Sequence, residues 1–151
     1  MTAAHAQISQ QAENWHTACY EGFAADVDEF VGKDALDCGF VLKTDSRTRF
    51  SAARACGRRA QRIGIPFKIG FSGFGTDSAF CRAAIKSPNG QLWEFVVDID
   101  VLDTSGGGST LWISRCRKLS FSGEKYNPLF STSQCTEDEA ATERVVGKSQ
   151  D

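Results

Sequence analysis

The chain has 151 residues, of which 41% are hydrophobic and 24% charged, and its formal net charge is −2 at pH 7. This length fits one domain, and the 11 Phe and 3 Trp argue against a disordered chain. No apolar run approaches the roughly 20 residues of a membrane-spanning helix, and the N-terminus lacks the pattern of a signal peptide. We therefore expect a single cytoplasmic domain over 1–151, with 1–5 and 136–151 loosely ordered and no membrane partner.

Apolar residues recur at three- and four-residue steps near the N-terminus, and this pattern predicts one helix from about Ala6 to Val31. Gly22 falls inside that stretch and is expected to break or bend the helix. A short buried strand is predicted next, over 38–44. Asp45 or Ser46 can then cap a second helix, which Gly64 should end.

The second helix is rich in arginine. Eight basic residues and the single acid Asp45 lie between Lys43 and Lys68, and Arg54, Arg58 and Arg62 stand four apart on one helix face. Such a stripe is typical of a surface that binds nucleic acid or another polyanion. The alternative, which we favour, is that acids of the first helix neutralise it or that it is a solvated face, since the whole chain is acidic.

The remaining sequence is typical of antiparallel strands. Apolar side chains alternate with polar ones over 66–74, 79–87, 91–103 and 109–122, and a hairpin turn is predicted at Ser87–Gly90. The predicted fold is therefore α+β: one curved antiparallel sheet of four to five strands packed on the long N-terminal helix and the Arg-rich helix.

This order of elements resembles the cystatin-like, nuclear-transport-factor-2-like superfamily over roughly Ala12 to Phe121. The segment YEGFAADVDEFVGKDAL, from Tyr20 to Leu36, is similar to that superfamily's helix-loop-helix opening. The resemblance implies a cone-shaped sheet that wraps the long helix and leaves a pocket. It brings no catalytic motif of any member family with it.

Aromatic side chains are numerous enough to line such a pocket, and two arginines could hold an anionic ligand group inside it. Alternate residues of a strand point to the same face, so Arg115 and Arg117 share the apolar face of Leu111 and Ile113 in the last strand. The alternative is a bulge near Ser114 that turns the two arginines outward. The predicted ligand-binding residues are Trp15, Phe67, Phe71, Trp93, Phe95, Arg115 and Arg117.

Acid–base chemistry is an alternative reading of the same pocket. His16 and Tyr20 lie four apart on the first helix, and with Asp98 they could form an acid–base constellation. Glu94, Asp98 and Asp100 share one face of their strand, where they could do acid–base work or bind a cation, although cross-strand ion pairs are the more ordinary outcome.

The number and spacing of the cysteines limit which metal sites and disulfides the chain can form. The six cysteines show no C-x-x-C spacing, and only two histidines are present, so we expect no metal site and no cofactor. Four of the cysteines stand in apolar, periodic contexts, which favours reduced thiols over disulfides.

The function predicted from these features is binding rather than catalysis. We expect a small protein with an aromatic cavity or groove for a small organic ligand or a protein partner. Leu92, Val96 and Trp112 should be exposed on the outer sheet face and favour a homodimer. The alternatives are a cone-fold enzyme that acts on a hydrophobic substrate, and an anion or nucleic-acid binder that uses the arginine helix.

Overall fold

The computed structural model describes the backbone of residues 3–74, 78–100, 109–121 and 129–148, and the side chains of 10–74, 79–99, 110–121 and 129–147. Its helices are α1 (Ala3–Thr17), α2 (Phe23–Val31), α3 (Arg47–Ile63) and α4 (Glu139–Lys148). Its strands are β1 (Leu36–Val41), β2 (Phe67–Phe74), β3 (Ser78–Lys86), β4 (Leu92–Asp100), β5 (Ser109–Cys116), β6 (Lys118–Ser120), β7 (Ser131–Ser133) and β8 (Thr136–Glu137).

The main sheet has six strands in the order β1-β2-β3-β4-β5-β8, and β6 and β7 form a separate pair. The α+β class is confirmed, but a purely antiparallel sheet of four to five strands is wrong. β1 and β2 are parallel, because α3 crosses one sheet face between them and returns the chain in the same direction. The short strand β8 adds the sixth member by pairing with Ser114 and Arg115.

The single long N-terminal helix is also wrong, because the chain breaks between α1 and α2. Cys19 (φ 68°) and Gly22 (φ 93°) both adopt left-handed backbone conformations there, which ends one helix and starts the next. Cys19 forms a disulfide with Cys81 of β3, so the break is tied to the sheet.

The boundaries of α3 follow the sequence signals. Ser46 is the N-cap, and its hydroxyl accepts a hydrogen bond from the Arg49 N–H at 3.3 Å. At the other end Gly64 takes a left-handed conformation (φ 75°) and donates its N–H to the Ala60 carbonyl. The predicted start and end of this helix are confirmed.

Both faces of the sheet carry a hydrophobic core. The front face, which bears Cys81, Ala83, Ile85, Phe95 and Val97, is covered by α1, α2 and α4. The back face bears the alternate side chains and is covered by α3 and Phe121, Leu129 and Phe130. The helices therefore lie on both sides of the sheet.

All six cysteines form disulfides, which corrects the expectation of reduced thiols. Cys19 pairs with Cys81, Cys38 with Cys56 and Cys116 with Cys135. Four of the half-cystines lie in the two cores: Cys81 and Cys38 are buried, and Cys19 and Cys56 are partly buried. Because such pairs persist in oxidising environments, the structure does not support the expectation of a cytoplasmic protein. Within the described residues, no helix is long and apolar enough to cross a membrane.

Candidate ligand-binding groove

A groove of about 610 Å³ opens at the edge of the front face, where α2, the β3–β4 turn and the start of α4 meet. Its main side chains come from these three elements and from β4. They include Glu29, Phe30, Pro88, Trp93, Asp138 and Arg144.

The turn that forms one side of the groove is stabilised by hydrogen bonds among its own residues. The Ser87 N–H donates to the Gln91 carbonyl at 2.9 Å, and the Gly90 N–H donates to the Ser87 carbonyl. Gly90 has φ 85°, a value that favours glycine. The hairpin turn predicted at Ser87–Gly90 is therefore confirmed, and it fixes Pro88 and Asn89 at the rim.

The opposite side of the groove is the first two turns of α4. Asp138 precedes this helix, and its Oδ1 accepts the Ala141 N–H at 3.0 Å. Ala141 and Val145, four residues apart, are 7% and 4% exposed in the front core. This docking leaves Arg144 on the side of α4 that lines the groove.

Aromatic rings and charges meet inside the groove. The rings of Phe30 and Trp93 are 5.0 Å apart in an edge-to-face contact, and the Arg144 guanidinium lies 5.0 Å from the Phe30 centroid. Arg115, directly across from Trp93 in the sheet, has its Nε 3.5 Å from Asp138 Oδ2. The arrangement offers an apolar wall next to fixed charges of both signs.

The predicted aromatic ligand residues divide sharply between groove and core. Trp15, Phe67, Phe71 and Phe95 are each 1% exposed or less and pack against other side chains of the two cores. Trp93 is only partly buried and reaches the groove. In the described part of the chain, α1, α2 and α4 pack against the front face of the sheet and α3 against the back face.

The two arginines of the last strand take different positions. β5 keeps an unbroken register with β4 through Cys116, so no bulge intervenes near Ser114. Arg115 does lie on the front-face parity, but its side chain is 55% exposed and pairs with Asp138. Arg117 falls in the break before β6 and is exposed.

The predicted acid–base constellation is not brought together. Tyr20 contacts the front core and donates a hydrogen bond to Asp26 Oδ2 at 2.6 Å, whereas His16 is exposed on α1. Burial, followed by this contact with the Asp26 carboxylate, raises the pKa of Tyr20 well above its ordinary value. Asp98 has the strand parity opposite to Phe95 and therefore lies on the back face.

Two of the three predicted anion-binding arginines contact the protein's own backbone. Arg54 Nε donates to the Leu129 carbonyl at 3.4 Å, and Arg58 Nη2 donates to the Phe121 carbonyl at 2.5 Å. Burial and the neighbouring Arg58 charge lower the pKa of Arg54. Gly57 lies between them, where a Cβ would come within 2.6 Å of the Phe121 ring. These two arginines thus hold the backbone at Phe121 and at Leu129, and Arg62 is exposed.

The opening acids and the basic segment do meet, at Lys68. Its Nζ lies 2.7 Å from Asp28 Oδ1 and 4.9 Å from the centre of the Trp15 ring. The Trp15 indole N–H donates to Asp37 at 2.8 Å. This network joins α1, α2 and the first two strands. It pairs Lys68 of β2, not the arginine stripe of α3, with an acid, so the neutralisation expected for the stripe stays a prediction.

Sequence reasoning missed Phe30, Asp138 and Arg144 as groove residues. In the sequence, Phe30 is one of the apolar residues whose three- and four-residue spacing predicts the N-terminal helix. The other two belong to the polar C-terminal segment, in which the spacing of Ala141 and Val145 is the signal for a docked helix.

Comparison of the chain with protein-family models, curated proteins and solved structures found no match. The resemblance to the cystatin-like, nuclear-transport-factor-2-like superfamily therefore stays a prediction. The proposal for the function of this chain therefore depends on the geometry of the groove.

Proposed function

We propose that this chain is a small, disulfide-stabilised binding protein without catalytic activity. Its groove takes an organic ligand that combines an aromatic or aliphatic part with a carboxylate. The single observation that carries the proposal is the groove of about 610 Å³ with Phe30, Trp93 and Arg144 in its walls. Ligand pockets commonly have volumes of about 300–1,000 Å³ with mostly apolar walls and a few polar groups.

The ligand chemistry follows from the groove's side chains. Trp93 and Phe30 provide flat apolar surface, against which a ring or an alkyl chain loses contact with water. Arg144 is a permanent cation and can bind a carboxylate through two parallel hydrogen bonds. Glu29 and Asp138 at the same groove disfavour a ligand with several negative charges.

Binding is favoured over acid–base catalysis because the predicted catalytic groups lie apart. Asp98 is on the back face, whereas Tyr20 is engaged with Asp26 on the front side. The raised pKa of Tyr20 also disfavours its use as a base near neutral pH.

An oxidising compartment is the proposed place of action. The three disulfides join α1–α2 to β3, β1 to α3, and the end of β5 to the β7–β8 connection. Cross-links of this kind stabilise a domain chiefly by restricting its unfolded chain, and they persist outside reducing cytosol.

A matched pair of probes tests the groove. Phenylacetate and phenylacetamide share a ring and differ in charge. Phenylacetate should raise the midpoint of thermal unfolding more than the amide does, since a ligand bound by the native state stabilises that state. Two-dimensional NMR should place the perturbed amides around Trp93 and the start of α4.

Variants then separate groove binding from nonspecific binding. Trp93→Ala and Arg144→Gln should each weaken phenylacetate binding by roughly tenfold. Trp112→Ala is the control, because Trp112 is 39% exposed on the back face away from the groove. Equal binding of acid and amide, or equal losses in all three variants, would contradict the proposal.

We also propose that the back face pairs two copies of the chain. Trp112 is 39% exposed, and Val96 lies between Trp112 and Arg82 in the sheet register. Asp98 on the same face has a shielded Oδ1 without a hydrogen-bond partner in the described part of the chain. A two-fold axis through this patch would let each Arg82 meet Asp98 of the second copy. Leu92, by contrast, is 6% exposed and does not belong to the patch.

Sedimentation over a range of concentrations tests the pairing. Trp112→Glu should shift the chain to monomer. Val146→Glu should not, although Val146 on α4 is also 39% exposed. A monomeric wild-type protein at high concentration would reject the homodimer.

A further inference from the structure

The third disulfide, Cys116–Cys135, lies beside a buried carboxylate. Cys116 ends β5, and Glu94 stands on the neighbouring strand β4 with a side chain only 7% exposed. A Glu94 carboxylate oxygen and the two sulfurs all lie within 4.8 Å of one another. This places three potential metal-binding atoms, one oxygen and two sulfurs, at one point of the back face.

This disulfide is also the most accessible of the three. Cys135 is exposed, whereas Cys81 and Cys38 are each 3% exposed and their partners are partly buried. A dithiol reductant can therefore attack the Cys135 sulfur, forming a mixed disulfide and releasing the Cys116 thiolate. The second thiol of the reductant then displaces Cys135, so the reductant leaves as a disulfide and the protein gains two electrons and two protons.

The environment of Glu94 is unusual for a carboxylate that serves only structure. Thr132 donates a hydroxyl hydrogen bond to it at 2.6 Å, and no ion pair is found for it among the described residues. Burying an unpaired carboxylate is costly, and an apolar side chain would avoid that cost. A cation bound next to the two sulfurs would supply the missing counter-charge.

We propose that reduction of Cys116–Cys135 creates a zinc site, with the two thiolates and Glu94 as protein ligands and water as the fourth. Thiolate and carboxylate are both common Zn²⁺ ligands, and the three protein ligands carry more than enough negative charge for the cation. Tetrahedral bonds of about 2.3 Å need sulfurs roughly 3.7 Å apart. Cys135 lies in the exposed stretch 133–137, so its side chain has room to withdraw from Cys116. This proposal is independent of the groove and departs from the expectation that the chain holds no metal.

Limited reduction tests the first half of the proposal. The folded protein is treated with dithiothreitol without metal, alkylated, and mapped by mass spectrometry. Cys116 and Cys135 should be alkylated before the other four cysteines, and near-ultraviolet circular dichroism should show that the fold persists. Earlier alkylation of another pair, or loss of the fold on this reduction, would overturn the proposal.

Metal titration tests the second half. The reduced protein should bind one equivalent of Zn²⁺, and Co²⁺ in its place should show thiolate charge-transfer absorption. Glu94→Gln should lower the Zn²⁺ affinity at least tenfold, and the double variant Cys116→Ser, Cys135→Ser should abolish binding. Glu143→Gln is the control, since Glu143 is an exposed carboxylate on α4, which packs on the front face. Zinc binding that is absent, or equally strong in Glu94→Gln, rejects the site.

Discussion

The two faces of strand β4 show how one alternating sequence serves different purposes. On the front, Phe95 and Val97 are fully buried under α1 and α2. On the back, Val96 and Asp98 are only partly buried, because α3 covers the β1–β2 side of the sheet. In the described part of the chain, the front face is therefore the more fully packed one and carries the groove at its edge, while the back face near β4 leaves more side-chain surface exposed to solvent.

Alanine substitutions at two neighbouring β4 positions should give the largest difference in stability between the two faces. Phe95→Ala removes a fully buried ring that contacts Phe23 and Phe30, so the free energy of unfolding should fall by about 3–5 kcal/mol. Val96→Ala, one residue away on the other face, should cost about 1 kcal/mol or less. Chemical denaturation with the disulfides intact measures both. Equal losses would mean that the faces do not differ in packing.

Much of the fold follows from local signals, and the exceptions depend on distant contacts. Ser46 and Gly64 mark the ends of α3, and Ser87–Gly90 marks a turn, because capping and turn chemistry act over a few residues. The break between α1 and α2 combines a local signal, Gly22, with a distant contact, the disulfide from Cys19 to a residue 62 positions away. The parallel pairing of β1 with β2 likewise depends on how α3 packs.

The candidate site was predictable only where strand alternation determines it. Trp93 shares the parity of Phe95, which placed it correctly on the front face. The same alternation separates Asp98 from Phe95, so an acid–base group that joins Asp98 to His16 was already inconsistent with the strand pattern. Arg144 depends on the docking of α4, which periodicity over ten residues indicates only weakly.

The back face can be weakened through α3 instead of through the sheet. Arg54→Met keeps much of the aliphatic volume but leaves the Leu129 carbonyl without its donor, and should cost about 2 kcal/mol. Arg59→Met, on the same helix but exposed, should change stability by about 0.5 kcal/mol or less. If Arg59 proved as costly, surface charge rather than the backbone contact would explain the loss.

Substitutions at the groove edge of the front face should lower the free energy of unfolding less than substitutions in the core. Asp138→Ala removes the acceptor of the Ala141 N–H at the start of α4, and should cost about 1 kcal/mol. Arg115→Ala removes only an ion pair to a half-exposed guanidinium and should cost roughly 0.5 kcal/mol or less. Thermal unfolding of both variants shows which substitution lowers the stability more. A larger loss for Arg115→Ala would show that the ion pair, not the cap, fixes α4.

The smallest effect at neutral pH concerns Tyr20, at the margin of the front core. Because its folded pKa is raised, the unfolded chain releases this proton above about pH 10 while the folded protein retains it. The contribution of Tyr20 to the free energy of unfolding is therefore constant below that pH and falls above it, by up to about 1.4 kcal/mol per pH unit. The stability difference between wild type and Tyr20→Phe should accordingly be flat from pH 7 to 9 and shrink at higher pH.

Tyrosinate absorbance gives an independent measurement of the same proton. The chain has two tyrosines, so Tyr126→Phe leaves Tyr20 as the sole source of the signal. Burial and the hydrogen bond to Asp26 should delay tyrosinate formation until the alkaline unfolding transition seen by circular dichroism. Tyrosinate that forms near pH 10 in the folded protein would mean that Tyr20 is as solvated as a surface residue, and that the front core is open at this edge as well as at the groove.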